Sequence, residues 1–148
     1  MTAATRDPSC AALITALEDL SLPLAAFTHR AHVQAGFAYL QRFGYAGALA
    51  AMAQAIRRFA AHHGKATLYH ETITVAFLTL IHERMAEDLL ALNGGDVATT
   101  LDPLLLDWDS FAANHPDLFA GDLLARYYDK ATLATPLAKR CFVLPKAG

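Results

Sequence analysis

β-Branched aliphatic residues are scarce in this 148-residue chain: valine and isoleucine together number 8. Strands draw on these residues, so their shortage argues against a β-sandwich or barrel and weighs against a parallel α/β sheet. Cysteine occurs only as Cys10 and Cys141, near opposite ends. Two isolated thiols do not form a disulfide framework, and they read as free thiols of a cytoplasmic protein. Neither charge sign is in excess, with 12 basic and 14 acidic residues and a formal net charge of −2. No basic surface for nucleic acid is implied. Long apolar runs are missing too. Ile73 to Ile81 is broken by threonines and flanked by Glu71 and His82-Glu83-Arg84, whereas a membrane span needs about 20 apolar residues. The first eight residues, Met1 to Pro8, lack the apolar stretch of a secretory signal.

Alanine and leucine fill the space, with 31 and 23 copies. Both favour helix. A hydrophobic fraction of 55% against 18% charged residues predicts a sizeable core rather than a disordered chain. The expected architecture is all-α: a single domain over 1–148, folded as an antiparallel bundle of five or six helices. Helices are predicted over roughly 10–20, capped by Ser9, and 28–43, capped by Thr28 and ended at Gly44. Others are predicted over 47–62 before Gly64, 68–92 with Thr67 as N-cap, 103–114 opened by Asp102-Pro103, and 117–129 after Pro116. Residues 1–8 and 132–148 read as irregular tails, the second a strap on the surface.

Against this apolar background a few polar residues stand out. His29 and His32 are three apart, so on a helix their side chains approach one point. His29 heads the stripe Val33, Phe37, Leu40, and His70 heads Ile73 or Thr74, Phe77, Ile81. An imidazole on a buried stripe needs a partner. Near a helix start the dipole favours its neutral, ligating form. Imidazoles suit zinc, nickel, copper and iron, so His29, His32 and His70, with a carboxylate nearby, form a candidate site for one divalent transition metal, zinc, iron, manganese or nickel. Glu71 is the candidate fourth ligand or catalytic acid/base, and Tyr69 and Thr74 are candidates for holding the bound molecule. His62 and His63 read as solvated residues at a helix end, His82 as remote from the site, and His115 as a loop or cap residue. Trp108, Tyr127 and Tyr128 read as core or interface, and Asp107 and Asp109 as solvent-facing.

Several segments carry a further pattern: Thr28-His29-Arg30-Ala31-His32, Ile56-Arg57-Arg58-Phe59, Tyr69-His70-Glu71-Thr72-Ile73-Thr74, His115-Pro116, and Leu123 to Tyr128. In this order they resemble an uncharacterised family of small bacterial helical proteins, and the resemblance spans most of the chain. It implies no activity. It singles out His29, His32, His70 and Glu71. The short linker before Tyr69 and the ending Lys139-Arg140-Cys141-Phe142-Val143-Leu144-Pro145 depart from the family pattern.

Three functions fit these residues. One is a small metal-dependent enzyme acting on a small molecule, with three histidines leaving a coordination position open. Another is a metal-free module binding a small anion at two helix N-termini through His29, His70 and Thr74. The last is a structural or protein-interaction domain whose histidines are satisfied core groups. A homodimer is compatible with each of the three. A haem globin matches the length, but the histidines show no distal and proximal pattern.

Overall fold

The computed structural model describes residues 7–96, 98 and 101–146. It is all-helical, with no strand among the described residues. α1 spans Pro8–Glu18, with Cys10, Ile14 and Leu17 on its buried side. Its cap is Asp7, two residues earlier than the expected Ser9, because the Asp7 carboxylate accepts from the Ser9 N–H while Pro8 occupies the first turn.

α2, His29–His62, is capped by Thr28 as expected. It is interrupted at Gly44, whose φ of 72° and ψ of −177° are non-helical. A straight helix would place His29 and Ile56 roughly 40 Å apart, yet both line one cavity. The Phe27 and Phe59 rings meet edge to face at 5.1 Å. A Cβ added at Gly36 would stand 3.7 Å from the Met52 sulfur. Gly44 therefore folds the chain back into two arms lying side by side. The expected pair of helices broken at Gly44 is present.

α3, Glu71–Leu92, begins three residues later than expected. Its N-cap is His70 rather than Thr67: the ring Nδ1 accepts from the Ile73 N–H at 3.2 Å, and Thr67 falls in a 3₁₀ turn, Ala66–Leu68. Gly94 and Gly95 end α3 with φ of 70° and 85°. The predicted 103–114 helix is divided into a 3₁₀ turn, Pro103–Leu105, and α4, Trp108–Asn114, capped by Asp107. The predicted 117–129 helix is instead two 3₁₀ turns, Pro116–Phe119 and Leu123–Arg126. Exposed Gly121 separates them. The tail is more ordered than expected, with α5 over Lys130–Leu133 and α6 over Pro136–Arg140, each capped by a side chain, Asp129 and Thr135. The expected irregular residues 1–6 and 147–148 lie outside the described residues.

α2 packs against both α1 and α3, and α3 against α6. The core holds Leu17, Phe37, Tyr39, Leu40, Leu78, Ile81, Phe111 and Leu118, each almost fully buried. Trp108 and Tyr128 belong to it, whereas Tyr127 is exposed. Two buried links seat the later segments. His115 is the C-cap of α4, in line with the loop or cap role its sequence suggests, and its ring also bonds Asp88 on α3 at 2.9 Å. The Thr72 hydroxyl donates to the Cys141 carbonyl and accepts from the Val143 N–H, holding the strap on α3. His63 is also more than a solvated end: it bonds the Leu22 carbonyl and packs against Phe59. Both cysteines are free. No helix is long and apolar enough to cross a membrane among the described residues.

Candidate functional site

The two arms of α2, the 66–70 segment and α3 enclose a cavity of about 340 Å³. This is at the lower end of the range for small-molecule sites. Its walls are mainly aliphatic and aromatic, including Met52, Ile56, Phe77 and Ile81, with exposed Leu68 at its mouth. Five residues singled out in the sequence meet here: His29, His32, Tyr69, His70 and Thr74. Glu71 does not. It turns outward and pairs with the Arg57 guanidinium. A residue next to an N-cap His points about 100° away from it around the helix.

The three imidazoles are occupied to different degrees. The His70 Nε2–H donates to the Leu133 carbonyl at 2.7 Å, and its Nδ1 accepts the Ile73 N–H. Both ring nitrogens are engaged. The His29 Nε2–H donates to the Leu118 carbonyl at 2.9 Å, and the ring meets Phe77 edge to face. The His32 Nδ1–H donates to the Thr28 carbonyl at 2.8 Å, with the ring stacked on Phe27 at 3.7 Å between centroids. Burial holds the His32 pKa below its usual value, with the neighbouring His29 adding to this. The ring is neutral at pH 7. Among the described residues, His29 Nδ1 and His32 Nε2 make no hydrogen bond, and in these tautomers each is an acceptor.

The donor set does not fit the expected metal centre. No group of three or more His, Cys, Asp or Glu side chains able to hold a metal ion forms among the described residues. His70 has no lone pair left, Glu71 is paired to Arg57, and two imidazoles fall short of the three protein ligands of a catalytic zinc site. The anion pocket loses its expected donors by the same bonds. His70 closes the N-terminus of α3 with its own ring, and the Thr74 hydroxyl donates to the His70 carbonyl at 2.9 Å.

Tyr69 behaves differently. Its hydroxyl oxygen is buried and meets no hydrogen-bond partner among the described residues. The Thr74 and Glu71 side chains come near enough for weak hydrogen bonding that acts on its pKa in opposite directions, but neither reaches hydrogen-bond geometry with it, and the Thr74 proton is already committed to His70. Burial pushes the Tyr69 pKa up, so at neutral pH the group is a protonated donor. An unsatisfied buried hydroxyl costs about 1–3 kcal/mol. The Arg57 guanidinium lies 4.7 Å from the Tyr69 ring centroid and holds the ring in place.

The sequence pointed to the polar residues of the cavity and, through the stripes that His29 and His70 head, to Val33, Ile73, Phe77 and Ile81 of its walls. Met52 and Ile56 come from the second arm of α2. Their convergence with His29 depends on the reversal at Gly44. No family model, curated protein or solved structure matches the chain. The resemblance to small bacterial helical proteins therefore stands on the quoted motifs alone.

Proposed function

We propose that this protein is a helical-bundle module that binds a small, mostly apolar molecule in the α2–α3 cavity, through hydrogen bonds and without a metal at His70. The carrying observation is the unpartnered, buried Tyr69 hydroxyl on the border of an apolar cavity. A ligand oxygen that accepts this proton as the Tyr69 ring shifts toward the cavity removes the desolvation cost while the apolar body covers Met52, Ile56 and Ile81. His32 supplies a neutral acceptor, its Nε2, for a hydroxyl or N–H the ligand carries, and the His29 ring lies beside it on the cavity wall. Their other nitrogens fix the ring orientations, which limits the ordering cost of binding. No residue of the cavity is assigned a catalytic role.

The test is a calorimetric titration and thermal-shift series with octan-1-ol as probe. A ligand that binds only the native state at 100 times its Kd adds about 2.7 kcal/mol to stability. Octan-1-ol is expected to raise the Tm of the wild-type chain and of Thr79→Ser, a remote control. It should have no effect on Ile56→Trp, in which the indole fills the cavity. An equal response from wild type and Ile56→Trp, or no response at all, overturns the reading.

A further inference from the structure

Tyr69 borders a second concavity, an outer cleft of about 490 Å³. Arg57, Lys139 and Arg140 line it, and no carboxylate does. Their charges are not equally available. Arg57 is paired with Glu71. Lys139 gives one bond to the Thr67 carbonyl at 2.7 Å, which leaves the rest of its three-donor ammonium for another partner. Arg140 makes no hydrogen bond or ion pair among the described residues, and it is exposed. Two cations without a counter-charge thus share one cleft in a chain whose formal net charge is −2. Their position follows from the fold. α6 carries Lys139 and Arg140 in its last turn and packs on α3, while the Lys139 bond ties α6 to the turn that bears Leu68 and Tyr69.

Two concave spaces therefore abut at one aromatic residue. The inner one is apolar, and the outer one is lined by cations. We propose that the ligand is an amphipathic oxyanion, a carboxylate or phosphate monoester. Its acidic group lies against Lys139 and Arg140, and its apolar chain runs past Tyr69 into the α2–α3 cavity. This rests on the apolar-cavity reading above and adds the ligand's charge and polarity. Charge-assisted hydrogen bonds are roughly twice as strong as neutral ones. The cleft is open to solvent, so the gain is screened by salt.

Titration calorimetry of the full chain with octan-1-ol, octanoate and octyl phosphate tests this, since the three share a chain and differ in the head. Both anions are expected to bind at least tenfold more tightly than the alcohol at low salt, and the advantage should shrink at 0.5 M NaCl. The tighter of the two anions identifies the head group. In Lys139→Gln/Arg140→Gln the advantage should vanish while octan-1-ol affinity stays as in wild type. Arg140→Glu, at an exposed position with no partner to lose, should reverse the preference and guards against misfolding of the double variant. Equal affinity for acid and alcohol in wild type overturns the oxyanion and leaves the apolar cavity standing. So does an acid preference that survives both variants. Anion binding unchanged by Ile56→Trp overturns the amphipathic chain. Failure of all three probes overturns the cavity reading, and this proposal with it.

Discussion

The imidazole of His70 is bonded to the carbonyl of Leu133 at 2.7 Å, across 63 residues of chain. The same ring caps α3 through the Ile73 N–H, so one side chain both starts a helix and fixes α5 beside it.

This double bonding sets an order among variants at position 70. His70→Asn keeps an N-cap acceptor but does not reach Leu133. His70→Ala loses both bonds. A cap contributes about 1 kcal/mol and a buried hydrogen bond about 1 kcal/mol. Urea denaturation should therefore show a loss of ~1 kcal/mol for Asn and ~2 kcal/mol for Ala. Dialysis against a chelator should leave the wild-type midpoint unchanged. A drop of several degrees after chelation would restore His70 as a metal ligand.

Gly44 makes the next case. Its φ of 72° with ψ of −177° lies in a region that side chains other than glycine's rarely enter. A Cβ there would meet nothing within 4 Å, so the cost of Gly44→Ala is backbone strain and not a clash. The expected loss is ~1–3 kcal/mol, read from the denaturation midpoint. Since both arms of α2 line the cavity, octan-1-ol affinity should fall with it. An unchanged midpoint would mean that the chain reverses without a left-handed residue.

The helix breaks and the polar residues of the cavity were legible for local reasons. Gly44 and Gly64, the Thr28 cap and the His29 and His70 stripes are each visible within a turn or two of chain. Two kinds of information were not local. Nothing within reach of His70 in sequence shows that Leu133 supplies its second partner, and without that bond three histidines at helix starts read as metal ligands. The 117–129 segment carries helix-forming leucines and alanines. Its turns are shaped instead by burial of Leu118, Leu123 and Leu124, and by bonds from the His29 ring to the Leu118 carbonyl and from the Tyr128 hydroxyl to the Val143 carbonyl. Tertiary contacts outweigh propensity there.

Gly36 tests the cavity wall from behind. A Cβ at this position would stand 2.8 Å from Ile81 Cδ1 and 3.3 Å from Leu78 Cδ1. Both side chains border the cavity, so their tips have room to yield into it. Gly36→Ala gains up to ~1 kcal/mol of helix propensity and loses a comparable amount to displaced packing. Stability is expected to stay within ~1 kcal/mol of wild type. The filled cavity should bind octan-1-ol about tenfold more weakly, equivalent to ~1.4 kcal/mol. A large loss of stability with unchanged binding would show that Ile81 moves away from the cavity instead.

Arg84 and Asp117 supply the pH dependence. The guanidinium donates twice, Nη1 to Oδ1 and Nη2 to Oδ2, both at 2.8 Å, with Arg126 at 3.9 Å as a more distant cation. The Arg84 bonds hold the Asp117 carboxyl below its usual pKa in the folded chain. In the unfolded chain it titrates near ~3.9. As pH falls below about 5 the unfolded state takes up the proton first, so the stabilisation is complete at neutral pH and fades as pH drops through the folded pKa. Asp117 is partly exposed, so solvent screening limits the gain to ~1 kcal/mol. Asp117→Asn should therefore be ~1 kcal/mol less stable than wild type by urea denaturation at pH 7. The gap should narrow at pH 4 and nearly close at pH 3. A difference that stays constant from pH 7 to pH 3 would mean that the bond to Arg84 acts through shape rather than charge.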